Sequence, residues 1–213
     1  MPEMSNQAGL VLFHAVPSRS TIVRWMLEEI GVPYDIALIN LSEGDHLKPD
    51  YRKINPKAKV PALRHGDTII TEVSAICAYL ADEFSDSGLA PKIGDKRRGP
   101  YLSWLFYAPS CIEPALIANS LGWSGARPGM LGWGDYKIVL KTLREAAMNA
   151  SPYLLGGQFT AADVVIGSQI RFGHRFKLLP GDPAFSAYLN RLEERPALQR
   201  QIAKDKALAD SQA

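Results

Sequence analysis

The opening forty residues constrain this chain more than any other stretch. "GLVLFHA" (9–15) is a short apolar run stopped by a Pro-Ser turn. "STIVRWMLEEIG" (20–31) then sets Ile22, Val23, Met26, Leu27 and Ile30 on one helical stripe, with Gly31 as the stop. "YDIALIN" (34–40) supplies a second strand. A strand, a crossover helix and a strand within that length make a βαβ unit whose strands run parallel.

The next segments extend this unit. "SEGDHLKPDYRKIN" is polar and predicts a short, loosely packed helix, "VPALRHGDTIITE" gives two strands around a Gly-Asp turn, and "VSAICAYLADEF" returns to helical spacing. Residues 1–84 therefore read βαβαββα. Glycine, proline and clustered charge without periodicity mark 85–98 as a linker. Everything from 99 to 213 reads as helix. "PYLSWLFYAPSCIEPALIANS" predicts a long helix bent or broken at Pro109 and Pro114, and "SGARPGMLGWGD" is a loop. "YKIVLKTLREAAMNAS" predicts an amphipathic helix, "TAADVVIGSQIRFGHR" a buried one and "PAFSAYLNRLEERPALQRQIA" a last pair, ahead of the polar tail "KDKALADSQA". The expected class is α/β plus all-α: a small α/β domain followed by an all-helical one.

Composition narrows the function. Charged residues make up 22% of the 213 residues and net charge is only +2, spread along the chain, so nucleic acid is not an expected partner. No apolar run approaches the roughly 20 residues of a membrane helix. "MPEMSNQAGL" has no signal-peptide layout, so a cytoplasmic protein is expected. Cys77 and Cys111 lack zinc-ligand spacing and sit in apolar helical patterns, which predicts inert buried thiols. His14, His46, His65 and His174 are scattered, so no metal is expected and structural or surface roles are the default.

Three short pieces can carry chemistry. Val60-Pro61 starts a strand, where proline either blunts the edge or, as a cis bond costing about 0.5–1 kcal/mol, turns the Val60 main chain towards an extended ligand. Glu72 opens a helix after Thr71, either as a capping acid with Thr71 as N-cap or as a partner for the ammonium of an amino-acid-like ligand. "PSRST" is a strand-to-helix turn in which Ser18 and Ser20 flank Arg19 near outward-pointing N–H groups.

In this order and spacing the pieces resemble a known family. The "SRS" turn, the helix ending "LEEIGVPYD", "INPKAKVPAL" and "TEVSAICAYL" resemble the thioredoxin-like N-terminal domain of cytosolic glutathione S-transferases, and "YLLGGQFTAADVVIG" resembles their helical C-terminal domain. The resemblance spans about residues 9–202 and looks most like the bacterial branch. It implies a cytoplasmic homodimeric transferase of the detoxification type with glutathione as co-substrate, a hydrophobic electrophile as second substrate and no metal. It further implies that Pro61 is cis, that the Val60 main chain binds the cysteinyl backbone, that Glu72 holds the γ-glutamyl ammonium, and that Lys48 and Lys59 reach the glycyl carboxylate. Thr160 and Asp163 match the family's N-capping box and are structural.

Two departures alter the expected chemistry. Many relatives have serine after the acid; here Val73 offers only its backbone N–H, and Ser74 follows one place later. The usual catalytic hydroxyl or thiol falls near Pro17, leaving Ser18 as the nearest donor and Ser20 as runner-up, with Arg19 adding positive potential. Lowering a thiol pKa of about 8.5 by about two units takes roughly 2.7 kcal/mol. A helix end supplies about 0.3–1 kcal/mol, and a charge-assisted hydrogen bond roughly 1.5–3. The two together reach the target. On the helical side Tyr101, Trp104 and Tyr107 are candidate contacts for the electrophile, and Trp123 and Trp133 lie in a glycine-rich loop. The alternatives are a glutathione-dependent disulfide reductase, peroxidase or lyase of the same fold, or a glutathione-binding scaffold without turnover.

Overall fold

The computed structural model describes residues 9–123 and 127–211. Part of the expected "SGARPGMLGWGD" loop and most of "MPEMSNQAGL" lie outside the described residues, as do the last two of the polar tail. The chain forms two compact units, one of residues 1–87 with 196–213 and one of 88–195.

In the first unit β1 (Leu10–His14) pairs parallel with β2 (Asp35–Leu38), in register from Val11 opposite Asp35 to His14 opposite Leu38. Its other edge pairs antiparallel with β3 (Ala62–His65), which continues antiparallel into β4 (Thr68–Thr71), so the sheet order is β2-β1-β3-β4. The βαβ reading of the opening residues is the parallel half of that sheet. α1 (Ser20–Ile30) makes the crossover and ends where Gly31, at φ 78°, donates its N–H to Leu27 O at 2.9 Å. α2 (Pro49–Ile54) and α3 (Val73–Glu83) complete βαβαββα. Ile22, Val23, Met26 and Leu27 of the α1 stripe lie in the core with Leu10, Leu12, Leu63 and Leu80, and Ile30 is half-buried.

The second unit is helical: α4 (Arg98–Tyr107), α5 (Glu113–Ser120), α6 (Tyr136–Asn149), α7 (Ala161–Arg175) and α8 (Pro183–Glu193). α4 and α5 are the expected long helix, broken by a π turn at Ala108–Ile112 where Pro109 has no N–H to give. That turn corrects one expectation. Cys111 is only half-buried, with Sγ 3.6 Å from Gly132 O, because the wider turn takes it off the apolar stripe. Cys77 is buried as expected, and burial pushes its thiol up to about 12. α7 is buried at every position from Ala161 to Ile170 and begins with the expected capping box of Thr160 and Asp163. Gly173 lets the following turn return onto it: a Cβ there would lie 2.5 Å from Leu179 Cδ1.

The C-terminal segment differs from the expectation in two ways. α9 (Pro196–Asp210) belongs with the first unit although 99–213 reads as one helical block, and the polar tail from Lys204 to Asp210 continues the helix. Beside the buried Ala197 and Leu198, its attachment uses charged side chains, which apolar periodicity cannot reveal. Glu28 on α1 accepts from Arg200 Nε at 3.1 Å and from Tyr34 Oη at 2.5 Å, and it also pairs with Lys204. Arg200 Nη2 donates to the Glu28 carbonyl at 2.8 Å.

Burial pushes the Glu28 carboxyl up, but the hydrogen bonds from Lys204, Tyr34 and Arg200 outweigh it and hold the group below its ordinary value. A carboxyl depressed in the folded state contributes stability above its unfolded pKa, and that contribution is lost as pH falls through the folded value. Asp205, also held low, acts in the same direction. The melting temperature is therefore expected to fall on acidification below about pH 4. Glu28→Gln should be less stable at neutral pH and show a flatter acid limb; parallel limbs in a thermal-melt series would show that Glu28 does not set the slope.

Candidate functional site

Three loops of the first unit, at 15–20, 55–61 and 71–74, carry the predicted residues. The first joins β1 to α1 and contains a cis Val16-Pro17 bond. Ser18 sits at its tip, half-buried, with Oγ 2.8 Å from Ala15 O and 2.6 Å from Ser20 Oγ, and it accepts the Ser20 N–H at 3.0 Å. Arg19 is the N-cap of α1 and makes no side-chain cap bond. Ser20 is placed differently from a ligand-facing donor. It is wholly buried, and its hydroxyl is enclosed by His14 Nδ1 at 2.7 Å, the Ala15 carbonyl at 3.1 Å and the Ala15 N–H at 3.1 Å. Of the two serines, only Ser18 has surface to offer a ligand.

The second loop is built by side chains that the motif reading passed over. Tyr51 Oη and Asn55 Nδ2 both donate to the Lys59 carbonyl, at 2.6 and 2.7 Å, and Asn55 N receives no freedom of its own because it donates to Tyr51 O at 2.8 Å. These bonds fix the peptide leading into Val60, whose bond to Pro61 is cis. The Val60 N–H and C=O have no hydrogen-bond partner among the described residues. Such unpaired main-chain groups, just ahead of an interior strand, suit an extended peptide-like ligand.

The third loop enters α3. Glu72, not Thr71, is the N-cap, held at φ 71° and ψ 123° and making no side-chain cap bond. A non-glycine residue at positive φ is uncommon, and here it turns the carboxylate away from the helix it caps. Glu72 instead pairs with Lys57, a residue absent from the expected site; both side chains are more than half exposed, so the pair contributes about 0–1 kcal/mol. Val73 is the first residue of α3, and Ser74 follows with its hydroxyl buried and without a hydrogen-bond partner among the described residues. Lys48 is tied to Asp45 Oδ1 at 2.5 Å and is 61% exposed, while Lys59 is exposed.

In the second unit the three aromatic candidates divide. Tyr101 is completely buried, so it is core and presents no surface to a co-substrate. Trp104 and Tyr107 are half-buried and meet edge to face with centroids 5.8 Å apart. Trp123 is 71% exposed and Trp133 half-buried. No group of three or more potential metal ligands occurs among the described residues, and none of their helices is long and apolar enough to cross a membrane.

A mixed four-stranded sheet in this order, a cis-proline at the start of its third strand and an acid at the head of the following helix define a thioredoxin-like domain, here joined to a helical one. Residues 18–83 match the family described as glutathione S-transferase, N-terminal domain. The chain is 30% identical over 156 residues to glutathione S-transferase 1 of Dianthus caryophyllus, covering 70% of this chain and 69% of that one. A glutathione transferase structure from Methylococcus capsulatus superposes with a TM-score of 0.77 at 25% identity, covering 93% of this chain and 99% of the other. A Sulfitobacter glutathione transferase homologue, with bound glutathione, superposes with a TM-score of 0.72 at 25% identity over 94% and 99%. The chain belongs to the glutathione S-transferase family.

Proposed function

We propose that the protein is a glutathione transferase in which Ser18 stabilises the glutathione thiolate while a hydrophobic electrophile is attacked. The observation that carries this reading is the open Val60 main chain, in the same unit as a half-buried Ser18 hydroxyl at the head of α1. The Val60 N–H and C=O take the cysteinyl backbone in the manner of an added strand. Glu72 takes the γ-glutamyl ammonium, and the Val73 N–H with the Ser74 hydroxyl takes the γ-glutamyl carboxylate at the positive end of α3. Lys59 and Lys48 serve the glycyl carboxylate, Lys48 by exchanging its bond to Asp45.

At the sulfur, the end of α1 and Arg19 supply positive potential, and the Ser18 O–H supplies a hydrogen bond that strengthens as charge develops. Bond formation is then nucleophilic displacement: sulfur bonds to the electrophilic carbon and the leaving group departs with its electron pair. Trp104 and Tyr107 are the proposed contacts of the electrophile. The working form is proposed to be a cytoplasmic homodimer.

Two measurements test the reading. The protein is expected to be retained on immobilised glutathione and to conjugate a generic aromatic halide, and Glu72→Gln should weaken glutathione binding about tenfold through loss of one charge-assisted bond, with kcat little changed. Retention without turnover would leave a binding protein, and no retention would remove the function altogether.

A further inference from the structure

Ser18 is the outer end of a connected polar chain that the conjugation chemistry alone does not require. His14 on β1 and Ser20 on α1 are wholly buried, and Asp205 on α9 is 6% exposed. Asp205 Oδ1 lies 3.1 Å from His14 Nε2, His14 Nδ1 lies 2.7 Å from Ser20 Oγ, and Ser20 Oγ lies 2.6 Å from Ser18 Oγ. Every contact is within hydrogen-bonding distance, and the His14 ring joins the two ends of the series through its two nitrogens.

The direction of each bond follows from the inner end. Asp205 Oδ1 also accepts from Arg24 Nη1 at 2.6 Å, and Oδ2 accepts from Gln201 Nε2 at 2.5 Å. Burial lifts this carboxyl, but His14 and Arg24 more than offset that and keep it below its ordinary value, so it is an ionised acceptor at neutral pH. An ionised carboxylate only accepts, so an imidazole carrying one proton holds it on Nε2 and leaves Nδ1 as an acceptor. Ser20 donates its one proton to Nδ1, 2.7 Å away, in preference to the Ala15 carbonyl at 3.1 Å. The Ser18 proton then has two acceptors, Ser20 Oγ at 2.6 Å and the Ala15 carbonyl at 2.8 Å, and the shorter contact directs it inward. Ser18 Oγ, already taking the Ser20 N–H, keeps one lone pair for an incoming donor. In the free protein its hydroxyl is poised to receive a proton, not to give one.

We infer that Ser20, His14 and Asp205 form a proton relay that draws the glutathione thiol proton inward through Ser18, an inference that rests on the assignment of Ser18 as the sulfur contact. The S–H bond breaks as its proton joins Ser18 Oγ. The Ser18 proton passes to Ser20 Oγ, and the Ser20 proton passes to His14 Nδ1. Three bonds to hydrogen break and three form, leaving a thiolate, two neutral hydroxyls and an imidazolium. The three hydrogen bonds between sulfur and His14 Nδ1 are now reversed, so Ser18 donates to the sulfur anion, which is the arrangement the transferase reading requires. After displacement the thioether carries no charge, and His14 returns its proton along the same path to solvent.

The groups around His14 fit this task. Asp205 from α9 faces the imidazolium, and Arg24 from α1 shares that carboxylate, holding it ionised so that it does not itself capture the proton. Arg24 Nε is 3.3 Å from Tyr34 Oη, which in turn donates to Glu28, so the wider cluster carries both signs. On the sheet the residue opposite His14 is Leu38, which brings no charge. His14, Ser20 and Asp205 touch no substrate and are positioning residues.

The test is nitrogen-15 NMR of histidine-labelled full-length protein, free and saturated with glutathione, alongside the ultraviolet absorbance of the bound thiolate. A His14→Gln variant assigns the resonances against His46, His65 and His174. The expected result is a neutral His14 protonated on Nε2 in the free protein and protonated on both nitrogens in the saturated complex. Ser20→Ala, a small change that leaves His14 and Asp205 in place, should keep His14 neutral on saturation and lower the thiolate fraction near neutral pH about tenfold, one unit in the bound thiol's pKa, with glutathione affinity unchanged. A thiolate signal with His14 still neutral in the wild-type complex would overturn the relay and leave the Ser18 assignment standing. Protonation of His14 in the Ser20→Ala complex would also overturn it. Absence of any thiolate in the wild-type complex would overturn both readings.

Discussion

Ser18→Ala is expected to lower kcat for conjugation about 100-fold while changing glutathione affinity by less than about threefold. The magnitude follows from the bond removed. A hydrogen bond to a charged group is worth roughly 1.5–3 kcal/mol, and deleting a donor aimed at developing negative charge commonly costs about 10²–10³ in rate. On the proposed reading the tripeptide is gripped along its length by the Val60 main chain, Glu72 and the head of α3, none of which the substitution touches. A loss confined to kcat is the signature of an interaction made chiefly with the charged sulfur. Steady-state kinetics with the aromatic halide check this, and an unchanged kcat would reject Ser18 as the donor. Ser20 stands in a different position: its hydroxyl is enclosed and already bonded, so its effect on sulfur is indirect.

Asp163→Ala is expected to have the largest effect on stability, a loss of about 3–5 kcal/mol that lowers Tm by roughly 10 °C. Asp163 is wholly buried at the start of α7, and its two oxygens accept the Leu154 N–H at 2.9 Å, the Thr160 N–H at 3.0 Å, the Tyr188 hydroxyl at 2.8 Å and the Thr160 hydroxyl at 3.3 Å. Removing the carboxylate strands several donors in the core, each costing about 1–3 kcal/mol, and unties the segment before α7 and the helix behind it from one point. Asp163→Asn does not rescue the site, because its amide nitrogen would face a donor. Thermal melts of the two variants check this, and a shift of less than about 3 °C for Asp163→Ala would show that the capping box does not hold the helical unit together. The residues proposed to bind glutathione all lie in the other unit.

Most of the α/β unit was legible because its signals are local. The apolar stripe of α1, Gly31 as its stop, and the Gly66-Asp67 turn between β3 and β4 each specify geometry within a few residues. The capping box was legible for the same reason, being a contact across three positions. What stayed hidden depends on residues far apart in sequence. His14 reads as an isolated histidine inside an apolar strand, and Asp205 as one charge in a polar tail; their contact spans 191 positions. α9 likewise carries its attachment in Arg200, Lys204 and Asp205, charged residues that any periodicity argument assigns to solvent. Tyr101 and Ser20 were misjudged in the opposite sense, since chemistry-bearing side chains in the right segment turned out to be enclosed. Lys57 stays hidden because sequence spacing offers Glu72 a helix end or a ligand ammonium as its partner, not a lysine 15 positions earlier.

The central claim is that the turn before α1 ionises sulfur at neutral pH, and the ultraviolet difference spectrum of the glutathione complex tests it most directly. Wild-type protein saturated with glutathione is expected to show the thiolate band at neutral pH, titrating about two units below the value of about 8.5 for a free thiol, and Ser18→Ala is expected to lose most of it. A bound thiol that ionises only at the free value, in wild type and variant alike, would contradict the account.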